Sequence, residues 1–228
     1  MLLKKWEDIP KELRNQDVRT YYDILKKKRG NLWLKRVFDI VVSSLLIVLM
    51  SPVLLGIAIW IKTDSKGPVF YRQERITQYG RKFRIFKFRT MVTNADKMGA
   101  LVTTKNDSRI TKVGEKIRKC RLDEIPQLFN IWLGEMSFVG TRPEVQKYVD
   151  AYTDEMMATL LLPAGVTSLA SINYRDEDEI FAKYVDENHS VDEVYIKKIL
   201  PQKMEDNLAY LKTFSIWEDM KLCVKTVI

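Results

Sequence analysis

The chain has 228 residues and a mass of 26.8 kDa, room for one sizeable core with a membrane element but not for two domains with separate cores. Its net charge of +8 favours an anionic partner, whether nucleic acid, an acidic membrane surface or a phosphate-rich substrate. The two cysteines, Cys120 and Cys223, fit neither a disulfide framework nor a cysteine-based zinc site, and the single histidine, His189, read as a surface residue, argues against a multi-histidine centre.

The first 34 residues form a charged amphipathic leader. From Ile40 to Ile61 the sequence then carries no charge, and about 20 apolar residues suffice to cross the hydrocarbon core as a helix. The stretch follows the leader, is too long for a signal-peptide core and lacks a small-residue cleavage site, so it is expected to stay in the mature protein. Ser51-Pro52 sits at its middle, where proline removes an amide donor. Lys35 and Arg36 precede it; Lys62 and Lys66 follow. The proline and this charge symmetry suit either a re-entrant hairpin with both ends on one face or a kinked single-pass anchor.

Next, PVFYRQERITQYGRKFRIFKFRTM alternates apolar and basic residues around Tyr79-Gly80, predicting a short β-hairpin. Its aromatic interleaving suits a membrane interface or bound phosphates as well as an ordinary solvated strand face. Apolar residues at three and four spacing then predict helices over Val113–Arg121, Ile125–Leu133, Glu144–Leu162 and Ser190–Leu211. In the closing stretch, Ile216, Met220, Cys223 and Val227 share one face, which reads as core packing ahead of an interfacial role. The expected fold is mainly helical with a short β-hairpin.

The densest polar cluster is IRKCRLDEIPQLFN. Pro126 marks a helix start, so Asp123 and Glu124 stand at or beside a helix N-terminus, where amides and dipole favour anions. Adjacent helical side chains diverge by about 100°, so the two carboxylates need different jobs: one to attack phosphorus, the other to hold Mg²⁺. A plain helix cap flanked by solvated Arg118, Lys119 and Arg121 is the alternative. In SFVGTRPEV, Arg142 is placed to clasp a phosphate bidentately. In NDSRITKVGEKIR, Asp107 or Ser108 is a candidate cap beside Arg109. PAGVTSLASINYRDEDE adds Arg175, with Asp176 to Glu179 read as a solvated helix start.

Taken in order, KRVFDIVVSSLLIVLMSP, FKFRTM, NDSRITKVG, RLDEIPQLFNIWLGEMSFVGTRP and PAGVTSLASINYR resemble the bacterial sugar transferase family, the monotopic phosphoglycosyl transferases. The resemblance implies a re-entrant membrane helix over residues 35–62 broken at Ser51-Pro52, a catalytic domain over 63–228, and amphipathic interfacial helices at the cytoplasmic face of the bacterial inner membrane. It implies Asp123 as a nucleophile forming a phosphosugar-enzyme intermediate with loss of UMP, Glu124 as the Mg²⁺ carboxylate, and Arg118, Lys87, Arg89, Arg142 and Arg175 as phosphate-binding residues. The substrates it implies are a UDP-sugar and undecaprenyl phosphate. Thr141 stands where the common form VGPRP has its first proline, and residues 167–175 depart from TGxAQVNGR, so no particular sugar carries over. The leader is expected to be too short for the extra spanning helices of larger family members. A membrane-anchored basic scaffold is the rival reading; a nucleic-acid binder is disfavoured, since the basic residues mark no recognition helix.

Overall fold

The computed structural model of the protein describes residues 3–95, 107–174 and 191–227. The fold is mainly helical with two small sheets. Helix α1, Gln16–Lys27, starts where Asn15 accepts a hydrogen bond from the Val18 amide at 2.8 Å, and Asp17 and Lys26–Lys27 match its dipole. Val18, Tyr21, Tyr22 and Leu25 are buried together with Leu3, Ile9 and Leu13 against Leu160–Leu162, Leu208, Leu211 and Phe214. The leader is therefore part of the core, packed into the same hydrophobic cluster as the C-terminal helices.

Helix α2 runs over Arg29–Asp64, beginning at Arg29 rather than at residue 35. Helical backbone continues through Ser51 and Pro52. Proline has no amide to offer the carbonyl four residues back, which is Val48; the Ser51 hydroxyl donates to that oxygen at 2.8 Å instead. The interruption is one exchanged hydrogen bond. Only 11% of the most apolar 18-residue window of α2 is buried within the chain, unlike a core helix. Both ends of α2 nonetheless pack on the same domain. Near the start, Lys35 pairs with Asp219 at 2.6 Å, and Arg36 donates to Ile131 O and Trp132 O at 2.8 and 2.9 Å. Near the end, Ile57 and Ile61 pack with Phe88, Val113 and Ile117, and Asp64 accepts from the Val113 amide at 3.2 Å.

Strands β1, Phe70–Thr77, and β2, Arg81–Phe88, form the expected antiparallel hairpin, with Tyr79 and Gly80 at positive φ in its turn. Helix α3 is Lys112–Lys119 and α4 is Gln127–Leu133. A parallel pair that period and spacing did not signal joins β3, Met136–Val139, to β4, Ala164–Thr167. These strands are only four residues each, and their mixed sequences, MSFV and AGVT, show no period that separates a strand from a helix. Their contact requires glycine: a Cβ on Gly165 would lie 2.1 Å from Gly140 N.

The single helix expected over Glu144–Leu162 is instead two pieces, α5 at Gln146–Val149 and a 3₁₀ segment at Met156–Leu161. Glu144 is withdrawn from helix because its carbonyl accepts from Ile76 N at 2.9 Å and its carboxylate from the Tyr195 hydroxyl. α1 packs on the second piece, and Asn15 bonds Asp154 O in the gap at 3.2 Å. Short helix α6, Leu169–Asn173, follows β4, and the C-terminal run comprises α7, Val191–Val194, a π-turn at Tyr195–Ile199, and α8, Leu200–Thr213.

Helix α9, Ile216–Val227, turns inward with Asp219 and Leu222, while Trp217, Met220 and Val224 are exposed. This corrects the expected core face containing Met220. A buried Lys35 demands a carboxylate, and a charge pair outweighs the apolar pattern in setting the helix rotation. Arg175, His189 and the acidic run at Asp176–Glu179 lie outside the described residues.

Candidate active site

Three elements converge on Asp123 and Glu124. Thr111 caps α3 by accepting from Gly114 N at 3.0 Å, and the last turn of α3 carries Arg118. Arg121 then takes a left-handed conformation, φ 53°, which turns the chain into a single 3₁₀ turn, Leu122–Glu124, ahead of Pro126 and α4. Buried Asn130 on α4 clamps the edge of β2: it accepts from Phe86 N at 2.7 Å and donates to Arg84 O at 3.0 Å. That clamp stands one residue from Lys87 and so sets Lys87 against the carboxylates. On the other side, the β3–β4 pairing extends through Gly165 N to Thr141 O at 2.9 Å and fixes the loop bearing Arg142.

The adjacent acids face different surroundings. Glu124 Oε1 accepts from both Lys87 Nζ and Arg142 Nη2, each at 2.8 Å, with the Glu124 side chain only 14% exposed. Burial opposes its charge, but Arg142 and Lys87 outweigh that and hold the carboxyl well below the usual carboxylate range. Asp123 instead lines a cavity of about 340 Å³ together with Tyr71, Gln73, Arg75, Lys87 and Arg118. Burial pushes its carboxyl above the ordinary value, the Glu124 charge adds to this, and Lys87 and Arg118 oppose it. Burial likewise pulls the Lys87 ammonium down, against the attraction of Glu124. The sequence reading that the two carboxylates need separate jobs therefore has a geometric counterpart: one is clamped, one opens on the cavity.

Of the expected phosphate-binding residues, Arg118 and Lys87 share the cavity wall with Asp123, and Arg142 reaches the cluster through Glu124. Arg89 also lines the cavity but spends its guanidinium on the end of α2. It donates to Lys66 O at 2.6 Å, Ser65 O at 2.7 Å and Ser65 Oγ at 2.9 Å. Its fork crosses the space where Gly67, φ 130°, would carry a Cβ, 1.9 Å from that Cβ. Arg109 is held by Asp107, whose carboxyl that hydrogen-bonded partner lowers to about 2; Thr111, not Asp107 or Ser108, caps the following helix.

Arg75 and Gln73 were not singled out in the sequence as site residues. Period-two alternation, Tyr71, Gln73, Arg75, was the available signal: all three face the cavity. Arg75 donates to Gln73 Oε1 through Nε and Nη2 at 3.1 and 2.7 Å, and to Pro143 O at 3.1 Å, bracing the Arg142 loop.

No group of three or more His, Cys, Asp or Glu able to hold a metal occurs among the described residues, and Glu124 Oε1 is shared by two cations. The donor set thus does not make a protein cage. It fits a Mg²⁺ held by one or two carboxylates and completed by substrate phosphate oxygens, the usual arrangement for that ion.

Residues 30–228 match the family model described as bacterial sugar transferase. The chain is 38% identical over 201 residues to a UDP-glucose:undecaprenyl-phosphate glucose-1-phosphate transferase of Klebsiella pneumoniae, covering 86% of this chain and 40% of that protein. It is 35% identical over 198 residues to a UDP-N-acetylgalactosamine-undecaprenyl-phosphate N-acetylgalactosaminephosphotransferase of Aeromonas hydrophila, covering 86% and 43%. A UDP-glucose:undecaprenyl-phosphate glucose-1-phosphate transferase of Caulobacter vibrioides is 34% identical over 197 residues, 85% of this chain and 68% of that protein. The chain thus spans about two fifths of the length of the Klebsiella and Aeromonas relatives.

Proposed function

The chain belongs to the bacterial sugar transferase family, and we propose that it moves a sugar-1-phosphate from a UDP-sugar to undecaprenyl phosphate at the cytoplasmic face of the bacterial inner membrane. The observation that carries this reading is Asp123 in the wall of a cation-lined cavity, beside a second carboxylate locked by Lys87 and Arg142. A carboxylate meant only as a cap has no use for such surroundings. The donors named for the relatives differ in their sugars, so the reading extends to the UDP-sugar class.

In the first half-reaction an Asp123 carboxylate oxygen attacks the sugar-bearing phosphorus. A bond forms between that oxygen and phosphorus, the bond to the bridging oxygen breaks, and UMP leaves with the electron pair. In the second, a phosphate oxygen of undecaprenyl phosphate attacks the same phosphorus, releasing the Asp123 carboxylate and giving undecaprenyl-diphosphate sugar. Arg118 and Lys87 lie along the cavity to neutralise phosphate oxygens, and Arg142 and Lys87 keep Glu124 ionised and fixed. Mg²⁺, bound through Glu124 with the diphosphate, would supply charge neutralisation at the leaving group.

Membrane placement follows the same logic. Both ends of α2 are tied to one domain, through Lys35 and Arg36 at the start and Asp64 at the end, while its apolar face is left bare. That supports a re-entrant helix with Ser51-Pro52 as its weak point, holding the cavity at headgroup depth.

The test is UMP release by purified protein in detergent with Mg²⁺, over a panel of UDP-sugars, with and without undecaprenyl phosphate. The expected result is turnover with acceptor and, without it, one equivalent of UMP with labelled phosphosugar retained on the protein. Turnover without a labelled protein would sink the covalent step, and no UMP with any UDP-sugar would leave the scaffold reading.

A further inference from the structure

The cavity beside Asp123 is chemically two-ended. Its interior carries Arg75, Lys87 and Arg118. Its other wall residues include Pro68, Phe70, Met91 and Val92, and at this rim Phe70 is 37% exposed, Tyr71 37% and Val92 41%. Along β1 the side chains pass from exposed Tyr71 through Gln73 to Arg75, whose guanidinium is engaged with Gln73 and Pro143. A nucleotide sugar accounts for the cations and polar groups. It gives no reason for solvent-exposed aromatic and apolar surface at the mouth.

The rim is continuous with the apolar helix. Phe70 stacks on Phe88 with ring centroids 5.5 Å apart and planes at 17°. Phe88 in turn packs on Ile57 and Ile61 of α2. Leu55, Ile59 and Trp60 on the same half of α2 are exposed. Arg89, in the cavity wall, donates to the carbonyls of Ser65 and Lys66, the two residues that follow α2, so the cavity begins where α2 ends.

We propose that Phe70, Tyr71 and Val92 form the doorway through which the lipid acceptor enters, its first isoprenoid units lying on the rim while its phosphate reaches Lys87 and Arg118. Only one of the two substrates has an apolar chain joined to an anionic head, and that order of chemistry matches the cavity from mouth to interior. The inference rests on the transferase reading above and assigns a route within it.

The two half-reactions separate the assignments. In Phe70→Ala and Val92→Ser, both at exposed positions, UMP formation without acceptor is expected to keep its rate and its KM for the UDP-sugar. The KM for undecaprenyl phosphate is expected to rise about tenfold for loss of one aromatic contact. With methyl phosphate, which carries no isoprenoid unit, as acceptor, wild type and variants should differ by less than about twofold. A raised KM for the UDP-sugar would give the rim to the nucleotide and overturn the proposal, as would an unchanged KM for undecaprenyl phosphate. Thermal melting of both variants in detergent distinguishes a folding defect, which would slow both half-reactions together. If the wild type releases no UMP with any UDP-sugar, the transferase reading falls and this route with it; normal UMP formation with indifferent rim variants removes the route alone.

Discussion

Two clusters of opposite charges sit at opposite ends of the same problem. Under the start of α2, Lys35 is enclosed by Asp219 at 2.6 Å and Val139 O at 2.7 Å, with Tyr210 donating to Asp219 and Ser137 to Asp39. Lys35, Asp39 and Asp219 are 1–2% exposed. At the site, Lys87 and Arg142 meet Glu124 with side chains 14–37% exposed, and a cavity opens beside them. The first cluster has one cation among two acids and no space for a ligand. The second gathers Arg75, Lys87, Arg118 and Arg142 around two acids, a surplus of positive charge that suits a diphosphate. Residue types alone do not separate a latch from a site; closure and charge balance do.

The largest expected effect breaks the site side of this contrast. Asp123→Asn should lower UMP formation by at least about 10⁴-fold while leaving the melting temperature within about 2 °C, since the carboxylate that clamps neighbouring elements is Glu124 and not Asp123. Stopped-flow UMP release and thermal melting check the two halves. Retained turnover would move the nucleophile elsewhere.

The latch should respond in the opposite way. Lys35→Met leaves two buried acids without their cation, a loss on the order of 3–5 kcal/mol, and on the order of 10 °C in melting temperature for a chain of this size. Adding Asp39→Asn and Asp219→Asn to it should recover most of that loss, because the uncompensated charges go with them. Reconstituted activity of the triple variant should stay within about tenfold of wild type. A triple variant no more stable than Lys35→Met would show that the latch acts through its hydrogen bonds rather than its charge.

Titration sharpens the same comparison. The proposed phosphoryl capture would need the Asp123 carboxylate, and burial raises its pKa above the ordinary 3.8. The first half-reaction should therefore gain rate with rising pH through a midpoint above the ordinary aspartate value. Lys87 opposes that shift, so Lys87→Met should move the midpoint to higher pH as well as slow the reaction, by roughly 10- to 100-fold. Stability runs the other way: a raised folded-state pKa contributes stability below the unfolded value that is lost as pH rises through the folded one. Activity and this stability contribution thus oppose each other across one window, and both disappear in Asp123→Asn. A midpoint at or below the ordinary aspartate value in the wild type would contradict the burial argument.

How much of this was legible beforehand depends on the range of the signal. The hairpin, α3, α4 and the apolar helix were readable because period, turn residues and hydropathy are local. The ordered motifs carried the resemblance that put Asp123 and Glu124 in separate roles. What could not be read came from partners distant in sequence. The rotation of α9 depends on Lys35, 184 residues away from Asp219. The split of Glu144–Leu162 depends on Ile76, Tyr195 and the leader. Arg89, a phosphate-binding residue by resemblance, lines the cavity and also donates to Ser65 and Lys66, partners 24 and 23 residues away that no local pattern shows. Gly140 and Gly165 are contact residues, where a Cβ would meet the facing backbone, a role set by the partner strand and not by local sequence.

A third charge pair completes the series and carries the smallest effect. Lys82 and Glu74 meet at 2.9 Å across the hairpin, with side chains 58% and 53% exposed. Here water solvates both charges whether or not they touch, so Glu74→Gln should change stability by less than about 0.5 kcal/mol and leave both half-reactions intact. Calorimetry in detergent and the UMP assay check this. The three pairs then order by enclosure: the sealed one governs folding, the outermost governs little, and the intermediate one, dry enough to shift pKa values yet open to a ligand, is where chemistry belongs. If Glu74→Gln instead weakened turnover, the hairpin's solvated charges would have to be counted as part of the site, and enclosure would lose its power to tell the clusters apart.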